Sequence, residues 1–151
     1  MKRISVNECK VRFPALSRNE GLSRSAAAAF AVQCDPTVEE ISAIKTAVSE
    51  AVTNAIVHGY RDANGEVELL MRLYSDNAVY IQVKDKGRGI PDVRKAMQPT
   101  YTTAPADEER SGLGFTVMES FMDKVRVRSV EGRGTVVTME KKIAGKLNDE
   151  R

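Results

Sequence analysis

Glu50, Asn54 and His58 stand at successive four-residue intervals in SEAVTNAIVHGY, residues 49–60. On a helix each residue advances ~100°, so Glu50 and Asn54 fall ~40° apart and His58 drifts ~40° further. A carboxylate and a carboxamide oxygen are hard ligands suited to Mg²⁺, directly or through water. A carboxylate beside a bound phosphate can also act as a base towards a hydroxyl. The plainer alternative is a solvated helix face with Asn54 placed there by chance. His58 fits a helix C-terminus, hydrogen-bonded to the last carbonyls, better than a third ligand.

Two glycine motifs follow. In DKGRGIPD, residues 85–92, Asp85 stands at a strand exit and Gly87 and Gly89 in the turn beyond it. Glycine admits positive φ and close approach of backbone to a ligand. In RSGLGF, residues 110–115, Gly112 and Gly114 open a helix, and backbone N–H groups at a helix start suit phosphate. Each motif alone also reads as a decorated turn or a flexible joint. The second is not a dinucleotide-binding fingerprint, because a polar stretch precedes it rather than a strand. No GxxxxGK[ST] phosphate loop occurs.

The elements that must position these residues can be read from periodicity. ECKVRF, 8–13, alternates Cys9, Val11 and Phe13 with charged neighbours and predicts a strand. Ser17 and Glu20 make a capping-box pattern for a helix over roughly 18–33, with Leu22, Ala26, Ala29 and Phe30 as its buried stripe and Arg18, Glu20 and Arg24 exposed. Asp35–Pro36 breaks the chain, and Thr37 with Glu40 gives a second box. The next helix, about 38–59, has the strongest pattern: Ile41, Ile44, Val48, Ala51, Val52, Ala55 and Ile56. Ala43 and Ala47 are expected to leave a shallow bare patch beside Glu50 and Asn54, and Gly59 can end the helix. EVELLMRLY (66–74) and AVYIQVK (78–84), joined by Ser75–Asp76–Asn77, predict a hairpin, and 92–97 a short helix.

Residues 98–112 have no apolar period and read as a lid. Residues 113–122 resume helical spacing, KVRVRSV (124–130) and TVVTMEKKI (135–143) form a second hairpin, and 144–151 is a polar tail. This order predicts an α+β fold: a two-layer α/β sandwich whose mixed, mostly antiparallel sheet carries helices on one face, in a single domain over 1–151.

Bulk properties exclude rather than identify. The chain has 151 residues with 23 basic and 21 acidic side chains, a net charge of +2. That balance offers no electrostatic argument for nucleic acid or membrane. Cys9 and Cys34 lack metal-ligand or redox spacing and read as reduced, structural thiols. No apolar run approaches the ~20 residues of a membrane span, and no signal region opens the chain, so a cytoplasmic protein is expected.

The order of motifs carries more than any one of them. A helix with Glu-x₃-Asn, then Asp-x-Gly-x-Gly after a strand, a polar lid, and Gly-x-Gly opening a helix resembles the ATP-binding superfamily of gyrase, Hsp90, histidine kinases and mismatch-repair ATPases. SEAVTNAIVHGY, KDKGRGIPDVRKAMQPTYTT and ERSGLGFTVMESFMDKV together are similar to the anti-sigma-F factors of spore-forming bacteria, over about 8–143. The stress-response anti-sigma-B kinases are the next most similar family.

The resemblance implies the histidine-kinase-like ATPase fold and a serine kinase that also binds a sporulation sigma factor. It implies Glu50 as base towards the acceptor serine and Asn54 as ligand of Mg²⁺ bridging the phosphates of ATP. Asp85 would accept from the adenine amino group, with Gly87 and Gly89 shaping that pocket. Gly112, Leu113 and Gly114 would donate backbone N–H groups to the phosphates. Thr102, Thr103, Arg110 and Ser111 would belong to the lid, Arg110 reaching the γ-phosphate or the docked substrate. Arg24 matches the family's partner-binding arginine. The partners implied are a sigma factor, an anti-anti-sigma protein that accepts the phosphate, and a second copy of the chain; the first strand and helix are the contact expected for that copy. Two departures stand out: Ala104 replaces a lysine after the paired threonines, and the lid and the N-terminus are longer than the family's.

Two rivals remain. A sensor histidine kinase needs a phosphoacceptor histidine on a preceding dimerisation helix, whereas His58 lies inside the Glu50–Asn54 helix. Gyrase-like and Hsp90-like motors need a transducer domain that this length is not expected to hold. A nucleotide-binding module that sequesters sigma without transferring phosphate is the second rival, and Glu50 argues against it.

Overall fold

The computed structural model describes residues 3–60, 64–98 and 114–145. Strand β1 (Ser5–Pro14) is followed by α1 (Glu20–Ala31) and α2 (Val38–Asn54), the hairpin β2 (Glu66–Tyr74) and β3 (Ala78–Asp85), the short α3 (Val93–Ala96), α4 (Gly114–Phe121), and the hairpin β4 (Lys124–Val130) and β5 (Gly134–Lys142). The sheet order is β1-β2-β3-β5-β4, and every described pairing is antiparallel.

Side chains alternate across a strand, so register decides what each face carries. One row across all five strands reads Val11, Leu69, Val83, Val137 and Val127. The row one residue away reads Lys10, Leu70, Gln82, Thr138 and Arg126, on the opposite face. The first face packs under the helices. Leu69, Met71, Ile81 and Met139 are buried there with Ile44, Val48 and Val52 of α2. Full burial of such a side chain contributes ~1.5–3 kcal/mol, which fixes α2 against the sheet.

The two expected capping boxes have different outcomes. Thr37 caps α2 as expected: its Oγ1 accepts from the Glu40 N–H at 3.1 Å, and Glu40 Oε1 accepts from the Thr37 N–H at 2.8 Å. Ser17 caps nothing. Residues Ser17–Asn19 form a 3₁₀ turn, α1 begins at Glu20, and the Glu20 carboxylate is held by Arg24 and Ser49 instead of folding back on Ser17.

The buried stripe of α1 is also rotated. Leu22 is 52% exposed and Ala29 is exposed, while Ser23, Ala27, Phe30 and Ala31 face inward. Ser23 is tolerated there because its hydroxyl donates to the Glu20 carbonyl at 2.6 Å. Small residues let α1 approach α2 closely. Ala43 and Ala47 of α2 are buried in the same way, so the bare patch expected there is absent. The turn at Asp35 has φ 53°, and both cysteines are free: Cys9 exposed, Cys34 buried, its thiol pushed up to about 11 by burial and then by Glu40.

Candidate functional site

Helix α2 delivers Glu50 and Asn54 in its last turn, half-buried, against the start of α4. A Cβ added at Gly114 would lie 3.0 Å from Asn54 Nδ2 and 3.3 Å from Glu50 Oε2. The bare backbone at the N-terminus of α4 therefore faces both polar side chains. Exposed N–H groups at a helix start attract anions, so a phosphate placed here would meet donors from α4 and hard oxygens from α2.

The chain does not continue as a regular α-helix to Gly59. Residues Ala55–Gly59 form a π-turn, a widening common at functional sites. It carries the helix end onto the exit of β3. A Cβ on Gly59 would stand 2.8 Å from Asp85 Oδ1, and one on Gly87 would overlap the Gly59 carbonyl oxygen. That carbonyl accepts from the Arg88 N–H at 2.8 Å, and Arg88 Nε donates to the His58 carbonyl at 2.8 Å. The Tyr60 hydroxyl accepts from the Lys86 N–H at 2.6 Å and donates to the Glu66 carbonyl at 2.7 Å. Gly89 has φ 76° and lies against the β4–β5 turn, where Gly132 N–H donates to the Arg88 carbonyl at 2.6 Å.

Asp85 sits in the middle of this junction, 6% exposed. Burial pushes its carboxyl up to about 6, opposed by hydrogen bonds from the backbone of Gly87 and of Thr135. The Gly87 N–H bond measures 2.9 Å. A buried carboxylate held by backbone donors is a ready acceptor for an amino group. It discriminates against a carbonyl at the same place, which would face it acceptor to acceptor.

The opposite flank of α2 forms a second polar cluster. Arg24 of α1 donates to Glu20 Oε1 at 3.2 Å, and the same oxygen accepts from the Ser49 hydroxyl. Together with Thr53, Ile56 and Val57 these residues border a groove of about 290 Å³ between α1 and α2. Neither Glu50 nor Asn54 borders it, so the groove is separate from the Gly114 contact.

Of the residues expected from sequence, the structure joins Glu50, Asn54 and Gly114 at one point, and Asp85, Gly87 and Gly89 at another. It places Arg24 in the groove. Thr102, Thr103, Arg110, Ser111, Gly112, Leu113 and the lid they belong to lie outside the described residues. Tyr60 and Arg88, which lock the π-turn onto Asp85, carry no sequence signal of that role, Gly59 reads there only as a helix end, and nothing in the sequence pairs Glu20 and Ser49 with Arg24. No group of three or more metal-ligating side chains occurs among the described residues.

The family model of the histidine kinase-like ATPase domain matches residues 13–141. The anti-sigma F factor of Clostridium acetobutylicum is 51% identical over 138 residues, 91% of this chain and 95% of that protein. That of Clostridium novyi is 52% identical over 141 residues, 93% of this chain and 97% of that one. Among solved structures, the RsbU and RsbW domains of Rv1364c from Mycobacterium tuberculosis superpose with a TM-score of 0.67 at 19% identity, over 94% of this chain and 33% of that one. Full-length ShkA in complex with AMPPNP gives 0.58 at 20% identity, over 85% of this chain and 30% of that one. The two structures share the fold.

Proposed function

We propose, from the premise that this chain belongs to the anti-sigma F factors within the histidine kinase-like ATPases, that it sequesters a sporulation sigma factor and phosphorylates a serine of an anti-anti-sigma partner with Mg·ATP. The reading treats 1–151 as one ATP-binding kinase unit acting in the cytoplasm, with no direct contact to nucleic acid or membrane. The observation that carries it is the contact of Gly114 with both Glu50 and Asn54, which puts a candidate base and a candidate metal ligand at a helix N-terminus.

The residues present fit ATP and Mg²⁺. The cleared space at Gly114 would be filled by any side chain, and the buried Asp85 suits an adenine amino group. Asn54 would offer the metal one oxygen ligand, direct or through water, which leaves the role of base to Glu50. Few protein ligands suffice, because Mg²⁺ takes most of its shell from water and phosphate. When bound, Mg·ATP supplies the phosphoryl group and neutralises charge as that group transfers.

The chain's own residues supply position and a proton acceptor. Asp85 holds the base end of the nucleotide by accepting a hydrogen bond. The start of α4 directs N–H groups at the phosphates. Asn54 would hold Mg²⁺ through its carboxamide oxygen. Glu50 accepts the proton of the acceptor serine hydroxyl, which readies that oxygen for in-line attack. Arg24 docks the protein partner. Homodimerisation through β1 and α1 is supported by β1 being an edge strand and by exposed Ile4, Val6 and Leu22. A monomer in sedimentation at micromolar concentration would remove that element.

Phosphate transfer from γ-labelled ATP to the anti-anti-sigma partner tests the whole. Serine labelling by the wild type, lost in Glu50→Gln and Asn54→Ala, is the expected result. No labelling, together with ATP-dependent sigma binding, would leave a nucleotide-gated antagonist. Which sigma factor releases RNA polymerase from inhibition separates the sporulation reading from the stress-response anti-sigma-B alternative.

A further inference from the structure

The helices pack on one face of the sheet. The other face has no layer over it among the described residues, and its charges are unevenly placed. Its acids are Glu8, Glu66, Glu68 and Glu140. Glu8 pairs with Arg72, its Oε1 accepting from Nε at 2.8 Å. Glu68 takes Arg12 at 3.0 Å and Lys10 at 3.7 Å. Glu140 takes Arg3 and, at 3.8 Å, Lys124. Glu66 lies on β2, three strands from β4.

Lys84 stands directly across from Glu68 in the register and helps hold that carboxyl low. On β4, Arg126 and Arg128 remain: both are exposed and have no carboxylate within ion-pair distance among the described residues. The register sets Lys84, Val136 and Arg128 in one row, and Gln82, Thr138 and Arg126 in the next. Lys124, Arg126 and Arg128 alternate along β4, so they stand ~6.7 Å apart. The chain as a whole carries only +2, so this accumulation is local. The two unpaired arginines, Arg126 and Arg128, lie on one face of one strand and repel each other, a cost that a ligand would offset.

Strand β4 is also an edge of the sheet. Among the described residues no strand pairs with its outer side, and the turn at Gly89 and Ile90 approaches only its Ser129–Val130 end, so an added strand has a place to pair. A second copy of β4 would bring the same three cations against themselves and is repelled. An extended segment with carboxylates at alternate positions would place them beside Arg128, Arg126 and Lys124. We propose that the β4 edge and these cations form a docking site for an acidic, extended segment of a protein partner, which adds as a sixth strand.

A polypeptide fits this surface better than a polyphosphate chain. Glu140 interrupts the basic face one strand in from β4, where it would repel a continuous phosphate track. The aromatic faces a single-stranded nucleic acid would stack on are covered: Arg3 lies 4.3 Å from the Tyr74 ring centre and Arg72 lies 5.4 Å from that of Tyr80. A peptide can carry mixed charge in register with this pattern.

The test titrates the full chain with a labelled peptide alternating Glu with Val, a same-composition peptide with its Glu residues contiguous, and a thymidine oligonucleotide. The alternating peptide is expected to bind best and to weaken with salt. Arg126→Glu with Arg128→Glu should lower its affinity at least about tenfold, and Arg126→Gln with Arg128→Gln by less. Lys10→Glu with Arg12→Glu, at the compensated edge, should change it less than about twofold. Backbone amides of β4 should gain hydrogen-exchange protection on binding. Equal effects from both edges, no added protection in β4, no peptide binding at low salt, or tighter binding of the oligonucleotide would each overturn the proposal. Unchanged ATP affinity in the folded variants keeps this result separate from that of the kinase reading.

Discussion

Helix α2 has two polar flanks, and they are held by different forces. Towards α4 and Asp85 the glycine backbone makes the contacts: a Cβ would overlap the Gly59 carbonyl oxygen at Gly87, press on the Asp85 carboxylate at Gly59, and crowd the Asn54 and Glu50 side chains at Gly114. Towards α1 the contacts are made by side chains, in the Arg24–Glu20–Ser49 cluster. Backbone against backbone, as at Gly87, holds position tightly because neither side can rotate away. A half-exposed ion pair is cheap to form and cheap to break. The first suits a site where phosphoryl transfer depends on geometry, and the second suits a surface that exchanges partners.

The largest effect that would sharpen this contrast is chemical. Glu50→Gln should slow serine phosphorylation about a thousandfold with nucleotide affinity retained. Single-turnover labelling beside a nucleotide-binding titration measures both, and an unchanged rate would break the contrast by removing the base from that flank.

Next comes Gly87→Ala, whose Cβ would overlap the Gly59 carbonyl oxygen. It should cost ~3 kcal/mol or more in urea unfolding, because backbone rather than a flexible side chain must move. Glu20→Gln on the other flank should cost under ~1 kcal/mol. Similar losses at the two sites would show that the flanks are not held differently.

Asp85 adds a pH dependence. Its folded-state pKa is raised from 3.8 to about 6, chiefly by burial, so the folded protein retains a proton the unfolded chain gives up. Ionising Asp85 therefore costs stability progressively as pH rises from 3.8 to about 6, and the loss is constant above that window. Asp85→Asn should raise stability by ~1–2 kcal/mol at pH 8 and give no such gain below its unfolded pKa. Its ATP affinity should fall about a hundredfold, because with Oδ1 held by the Gly87 N–H the carboxamide turns an NH2 donor towards the adenine amino group. Thermal melts across pH decide it, and a gain that persists in acid would reject burial as the cause.

The smallest effect lies on the docking flank. Arg24→Ala should weaken partner binding about tenfold and Glu20→Gln about threefold, with ATP affinity unmoved by either. A fall in ATP affinity would show that the groove and the Gly114 contact are one site.

The α2 helix was legible because its Thr37–Glu40 box and apolar stripe are local patterns backed by burial. The Ser17–Glu20 pattern is as good on paper and fails, because Glu20 has better partners in Arg24 and Ser49. Those partners are invisible in a local window. Leu22 and Ala29 misled for a related reason: α1 turns small residues towards α2, so its inward face follows helix–helix approach rather than apolar content.

The sequence by itself determined the strands, the helix bearing Glu50 and Asn54, the glycine motifs and their order, and through that order the family. Those features depend on residue type and on spacing within a few turns of chain. The tertiary structure alone decided that the helix widens into a π-turn, that Gly59 and Arg88 clamp it to Asp85, and that Glu20 belongs to Arg24 and Ser49. It alone set the cations of β4 on a face with no layer over it among the described residues. Each of these depends on residues far apart in the chain, and only register and packing bring them within reach.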